Sequence, residues 1–333
     1  MNARVLILHT GGTIGMTGSP DGLRPMAGFG AALGAQLRAT GAPDCDIVEL
    51  APLIDSANLQ PAHWRHIAEA LLSRWDDYAG FVVLHGTDTM AWSASALSFM
   101  LRGADKPVVF TGAQIPLLQP RSDAAGNLRA ALEIAAAGTV REVALLFGQR
   151  LLRGNRSRKL KSVAFDAFDS PNCLPLADIG IDITVHHERL LAPAERHFTL
   201  PAFDPEAVAV LPIWPGLPAR VVDAVLESPA VRGLILASYG VGNVPDADAA
   251  LVDTLARSVD RGVVVLNTSQ CPTGPVAQGA YATGAVLNRI GVVSGGDMTP
   301  EAAFAKLHVL LAEGDDAAAV RAQIGQPLCG EMA

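Results

Sequence analysis

The chain has 333 residues, half of them hydrophobic and 17% charged, with a formal net charge of −8. That length holds two domains of ordinary size and a large buried core. An acidic balance without a lysine or arginine tract argues against nucleic acid or anionic membrane as the main partner, and no apolar run approaches the roughly 20 residues that cross a bilayer.

In chain order, the clearest strands are expected at 5–9, 47–50, 81–85, 108–111 and 143–147. Their runs of large apolar residues read as strands buried on both faces. Helices at 61–74, 93–102 and 124–137 alternate with them, their apolar residues three and four apart. This alternation predicts a mostly parallel sheet covered on both sides, a three-layer α/β/α arrangement. From about 186 to 204 the rhythm breaks, with two prolines and mixed charge. It resumes with strands at 208–213, 233–237 and 263–267 and a terminal helix at 300–312. The expected organisation is a larger N-terminal catalytic α/β domain (1–187), a linker (188–206) and a smaller C-terminal parallel-sheet domain (207–333). A strand entered at about Val5 leaves no room for a signal peptide, so a soluble cytoplasmic protein is expected. The scattered Cys45, Cys173, Cys271 and Cys329 form no CxxC pair and read as free thiols rather than as a zinc or redox site.

The polar residues cluster at the strand exits. Gly11-Gly12-Thr13 follows the first strand, then come Asp55-Ser56, Gly86-Thr87-Asp88 and Thr111-Gly-Ala-Gln114, and later the basic stretch Arg153 to Lys159. The second domain repeats the habit at Ser238 to Asn243 and at Asn267 to Cys271. Ligands of open α/β sheets bind beyond the carboxyl ends of the strands, so these exits suggest one concave polar site. No GxGxxG, Walker lysine, GxSxG or HExxH pattern occurs, which argues against a nucleotide cofactor or a metal. His9 and His85, ending buried strands, read as core histidines bonded to backbone. His63, His66, His186 and His187 lack metal-ligand spacing with an acid.

Thr13, Thr87, Asp88 and Lys159 remain. A threonine hydroxyl becomes nucleophilic when a neighbour takes its proton. A buried aspartate beside a lysine would hold that lysine in place. The competing structural role for Asp88 or Thr89 is to cap the helix that follows.

At these residues the chain resembles the bacterial-type L-asparaginases, and more closely their cytoplasmic type I branch. The matching stretches are Thr10 to Met16, Asp55-Ser56, His85 to Met90, Phe110 to Gln114, Arg121 to Asn127, Arg153 to Lys159 and Tyr239 to Asn243. The resemblance implies hydrolysis of L-asparagine to aspartate and ammonia without metal or cofactor, with Thr13 as the nucleophile that forms an acyl-enzyme. It implies Thr87, Asp88 and Lys159 as the supporting catalytic set. Asp55, Ser56, Thr87 and Asp88 would bind substrate, and Asn243 would reach a neighbouring subunit's site in a homotetramer of two dimers. Leu23 stands where relatives usually carry a tyrosine on a mobile loop. Glutamine, D-asparagine or another small amide is the alternative substrate, and an acidic-amino-acid binding protein without turnover is the alternative class.

Overall fold

The computed structural model describes residues 4–20, 22–314 and 316–333. The chain forms two compact units, Met1–Leu200 and Pro201–Ala333.

The first unit is built on an eight-stranded sheet. From one edge its strands run Ile183–Val185, Ala177–Ile179, Arg150–Arg153, Val143–Phe147, Val108–Thr111, Gly80–Leu84, Val5–His9 and Cys45–Glu49. The strands from Val143–Phe147 onward pair in parallel, and the others pair antiparallel. Strand residues alternate between faces. Val5, Ile7, Val82, Leu84 and Leu146 join one core with the helices Phe29–Ala39 and Ala124–Ala137. Leu6, Leu8, Phe81 and Val83 are fully buried on the opposite face. There the helix Met90–Met100 packs along Val108–Thr111 and Val143–Phe147. Ser93, Ser95 and Ser98 of this helix are buried with its apolar residues, so it has no solvent face to give a periodic signal.

Several elements differ from expectation. The helix Phe29–Ala39 forms despite Gly30 and Gly34, because Phe29, Leu33 and Leu37 anchor it to the core. The segment expected as a loop after Gly15 is an antiparallel hairpin of Met16–Ser19 and Gly22–Pro25; its turn residue Asp21 lies outside the described residues. Within the stretch 188–206, His197–Phe198 pairs with Leu101–Arg102, and the first unit extends to Leu200.

The second unit has four parallel strands in sequence order: Val208–Pro212, Gly233–Ser238, Val264–Ser269 and Val293–Ser294. Leu234, Leu236 and Val265 pack on one face with the helices Ala219–Leu226, Ala249–Asp260 and Ala282–Arg289. Ile235, Val264 and Leu266 pack on the other with Pro300–Ala312 and with Ala317–Ile324, a helix unforeseen beyond the expected terminal one. Lys306 and Glu331, both 0% exposed, form an ion pair at 2.7 Å. Lys306 also donates to the Ile324 carbonyl at 2.9 Å, and Glu331 accepts from the backbone N–H groups of Leu328 and Cys329. The final residues are therefore tied to the helix Pro300–Ala312. The four cysteines are free thiols. Among the described residues no helix is long and apolar enough to cross a membrane.

Candidate active site

The parallel strands of the first unit define where a ligand pocket belongs. The chain passes from Val5–His9 to Cys45–Glu49 on one side, then returns to Gly80–Leu84 on the other. The strand order reverses between Val5–His9 and Gly80–Leu84, and a crevice opens at the carboxyl ends of such neighbours. Thr13 and Thr87 lie in the turns that leave these two strands.

The turns are held together by backbone contact. Gly12 has φ 94° and ψ 172°, open to glycine and strained for other residues. A Cβ on Gly12 would lie 2.5 Å from Gly86 Cα, and one on Gly86 would lie 2.5 Å from Ser56 Cβ. A side chain on Gly11 would collide with the Ile54 carbonyl oxygen, and one on Gly112 would stand 2.5 Å from the His85 carbonyl oxygen. The exits of the strands at 5–9, 45–49, 80–84 and 108–111 thus meet at one junction. Thr13 opens a short 3-10 turn, Thr13–Gly15, and is partly buried. Ser56 and Thr87 are buried at 5% and 7% exposure.

Lys159 joins this junction from the far side of the sheet. It sits on the two-residue strand Arg158–Lys159, paired antiparallel with Phe168–Asp169. Its Nζ donates to Thr87 Oγ1 at 2.7 Å and to Asp88 Oδ1 at 2.7 Å. The expected grouping of Thr87, Asp88 and Lys159 is present, with one correction. The aspartate is not buried: side-chain exposure is 65% for Asp88 against 19% for Lys159. Water screens an exposed pair, so Asp88 orients the lysine more than it stabilises the fold. The capping role is not realised either. Thr89 is the N-cap residue of Met90–Met100, but no side chain caps that helix, and its hydroxyl donates to the Ser56 carbonyl at 2.8 Å.

The rest of the basic stretch is structural. Arg153 pairs with the buried Glu142 at 2.6 Å, Arg150 with Asp169 at 2.9 Å and Lys161 with Asp166, while Arg156 donates to the Asn172 carbonyl at 2.7 Å. Asp55 turns its carboxylate to its own short turn, accepting from Ala57 N at 3.1 Å. Asn243 belongs to the second unit, in the turn after Gly233–Ser238, where its Oδ1 accepts from Thr283 Oγ1 at 3.0 Å.

The two strand-end histidines differ. Burial pushes His85 down to about 4, outweighing the opposing bond to Gly86, so its ring is neutral. Its Nδ1 lies 2.8 Å from the Gly86 carbonyl oxygen and its Nε2 lies 2.9 Å from Ser93 Oγ. A neutral ring fits if Nδ1–H donates to the carbonyl and Nε2 accepts from serine, which braces the Gly86 turn. His9 is also pushed down to about 4 by burial, against the opposing pull of Glu49. The backbone bond expected at His9 is not made through Nδ1, which has no hydrogen-bond partner; the ring packs on Phe29 with centroids 4.6 Å apart. His63 Nδ1 accepts from Gln60 N at the start of its helix. Among the described residues no cluster of three or more His, Cys, Asp or Glu side chains is placed to hold a metal ion.

One group of site residues lies in stretches that carry the family resemblance, though the sequence alone assigns its members no role. Gln114, Asp123 and Asn127 form a bonded set beside Thr87, with Asp123 accepting from Gln114 N and Ile115 N at 3.0 Å each. Asn127 donates to the Gly112 carbonyl at 3.0 Å and accepts from Gly148 N at 3.0 Å. Only the fold brings these residues to Thr87.

Comparison with known proteins fits this arrangement. A family model described as asparaginase, N-terminal, matches residues 4–191, and one described as glutaminase/asparaginase C-terminal domain matches residues 207–324. The chain is 45% identical to L-asparaginase 1 of Escherichia coli (strain K12), covering 98% of this chain and 97% of that protein. The crystal structure of L-asparaginase I from Vibrio cholerae matches with a TM-score of 0.91 at 41% identity over the full length of both chains. The thermostable L-asparaginase from Thermococcus kodakarensis matches with a TM-score of 0.88 at 32% identity over 99% of each. By family model, near-full-length identity and fold alike, the chain belongs to the asparaginase family.

Proposed function

We propose that the protein hydrolyses L-asparagine to L-aspartate and ammonia through an acyl-enzyme on Thr13. The observation that carries this reading is Lys159 held on Thr87 and Asp88 at the sheet's reversal point, in a chain 45% identical to a protein named L-asparaginase 1. Thr13 Oγ1 attacks the side-chain carbonyl carbon of asparagine, and its proton ends on the departing amide nitrogen, which leaves as ammonia. Backbone N–H groups of the glycine turns stabilise the oxyanion. Water then attacks the acyl-enzyme, the ester bond to Thr13 breaks and the hydroxyl regains a proton. Thr87 and Lys159 carry protons between these steps, a role supported by the 2.7 Å contact between them. Ser56 grips the α-carboxylate and Asp88 the α-amino group, with Asp55 at the pocket's rim.

In this reading the first unit, ending at Leu200, is the catalytic domain, and Asn243 of the second unit serves the site of another copy. The working form is a homo-oligomer, a dimer of dimers, in the cytoplasm. Ammonia release from L-asparagine, D-asparagine and L-glutamine tests the reading. The expected result is preference for L-asparagine and, in Thr13→Ala, a kcat lower by several orders of magnitude with the fold intact. Near-normal turnover by Thr13→Ala refutes the nucleophile, and preference for another amide refutes the substrate.

A further inference from the structure

Gln114 lies between the Thr87 turn and the segment that follows Lys159. Its side-chain Nε2 donates to the carbonyls of Ser162 at 3.2 Å and Ala164 at 3.0 Å. Two carbonyl acceptors fix the amide's orientation, since only the nitrogen end can donate. The oxygen end then faces Thr87, whose hydroxyl donates to Oε1 at 3.5 Å, a long contact beside the two carbonyl bonds. Lys159 Nζ donates to the same hydroxyl oxygen at 2.7 Å. A hydroxyl has one hydrogen and two lone pairs. With the ammonium on a lone pair, the hydrogen is left for Gln114. The backbone of Gln114 is anchored in turn, because its N–H donates to both carboxylate oxygens of Asp123 at 3.0 Å. The strand carrying Lys159 pairs with Phe168–Asp169, and the residues after it, Leu160 and Lys161, donate to the Ala167 carbonyl at 2.8 and 3.2 Å.

We propose that Gln114 is a positioning residue for Lys159: it bolts the 162–164 backbone to the strand exit and so keeps the ammonium on Thr87 and Asp88. This rests on the asparaginase reading above and extends it to a residue that acts through Lys159 and Thr87.

The experiment compares kcat and KM for L-asparagine in the natural sequence, Gln114→Leu, Lys159→Met and the double variant. It also follows acetylation of Lys159 by acetic anhydride, read by mass spectrometry against Lys106. Gln114→Leu is expected to lower kcat about 10²-fold while changing KM less, because a small displacement of a catalytic group is that costly. The double variant is expected to match Lys159→Met alone, since both substitutions act through one group. Lys159 should be acetylated several-fold faster in Gln114→Leu. Additive losses in kcat, or unchanged labelling, overturn the proposal. If the natural sequence releases no ammonia, the asparaginase reading fails and the labelling result alone decides the role of Gln114. Should Gln114→Leu not fold, Gln114→Glu decides it. Its kcat relative to the natural sequence should rise as pH falls towards about 4, where a carboxyl gains a proton to donate. A flat ratio overturns the role.

Discussion

Replacing Gly86 by alanine tests whether the meeting of strand exits sets the catalytic geometry. The new Cβ would stand 2.5 Å from Ser56 Cβ, whereas carbon atoms rest at about 3.5–4 Å. Ser56 or the Gly86 turn must therefore give way by about 1 Å. Ser56 is 5% exposed, so it has little free space to enter. Overpacking of this kind costs about 1–3 kcal/mol, which lowers Tm by about 2–10 °C in a unit of this size. The kinetic effect should be larger, because a misplacement of about 1 Å in a binding or catalytic group costs about 10²-fold in kcat/KM. Ammonia release and differential scanning fluorimetry would be measured on Gly86→Ala, on Gly86→Ala with Ser56→Gly, and on Gly126→Ala. The double variant removes the colliding carbon, so Tm should recover while activity stays low for want of the Ser56 hydroxyl. Gly126 lies in the helix Ala124–Ala137 with no neighbouring atom within 4 Å of a Cβ, so alanine there should leave activity intact and raise stability slightly. Normal kcat/KM and Tm in Gly86→Ala would refute the reasoning.

Glu331→Gln removes the charge opposite the buried Lys306 and should destabilise the second unit by about 3–5 kcal/mol, whereas Lys306→Met with Glu331→Leu should recover most of that loss; urea unfolding of both variants and the natural sequence checks it, and a Glu331→Gln midpoint equal to that of the natural sequence contradicts it. His9, His85 and His308 are each held down to about 4 by burial, below their usual 6.5, so the unfolded chain binds more protons between those values. Stability from these groups is then complete above about pH 6.5 and is lost as pH falls towards 4, by up to about 3 kcal/mol per histidine; urea midpoints that stay flat from pH 7 to 4.5 would show that these rings do not titrate in this way. Closure of the hairpin around Leu23, which is 49% exposed, should slow proteolysis at Arg24 when aspartate is added, and equal cleavage with and without aspartate would remove the hairpin from consideration as a lid.

The sequence made the backbone of the site legible and left its side-chain bonding obscure. Apolar runs such as VLILH and FVVLH mark central strands because a strand covered on both faces needs large side chains at every position. The glycines after them mark turns that no other residue can make. The hydroxyls and the lysine are therefore assignable to one edge of the sheet from the sequence alone. Exposure is another matter. Asp88 is 65% exposed even while bonded to Lys159, and composition carries no trace of this. Arg153 and Arg156 share a basic stretch with Lys159, and only the fold shows that Glu142 and the Asn172 carbonyl take them up. Gln114, Asp123 and Asn127 lie close together in the chain, but their bonds to one another and to the 162–164 carbonyls are set by the fold. The helix Phe29–Ala39 was hidden by Gly30 and Gly34, whose weak propensity is outweighed by burial of Phe29, Leu33 and Leu37.

The place of the first strand in the sheet bears on how the chain comes into being. Val5–His9 is made before both of its neighbours yet lies between them, flanked by Cys45–Glu49 and Gly80–Leu84. Val5 finds its second neighbour only when Gly80 has emerged. At a synthesis rate of about 5–20 residues per second, that interval lasts roughly 4–15 s. Throughout it, the apolar run Val5 to Leu8 has one unpaired edge, although the helix Phe29–Ala39, which packs on Val5 and Ile7, is already made. A strand at the centre of the first unit thus waits for its second partner while about 75 further residues are made, and in that interval the newborn chain is exposed to aggregation or to capture by a chaperone.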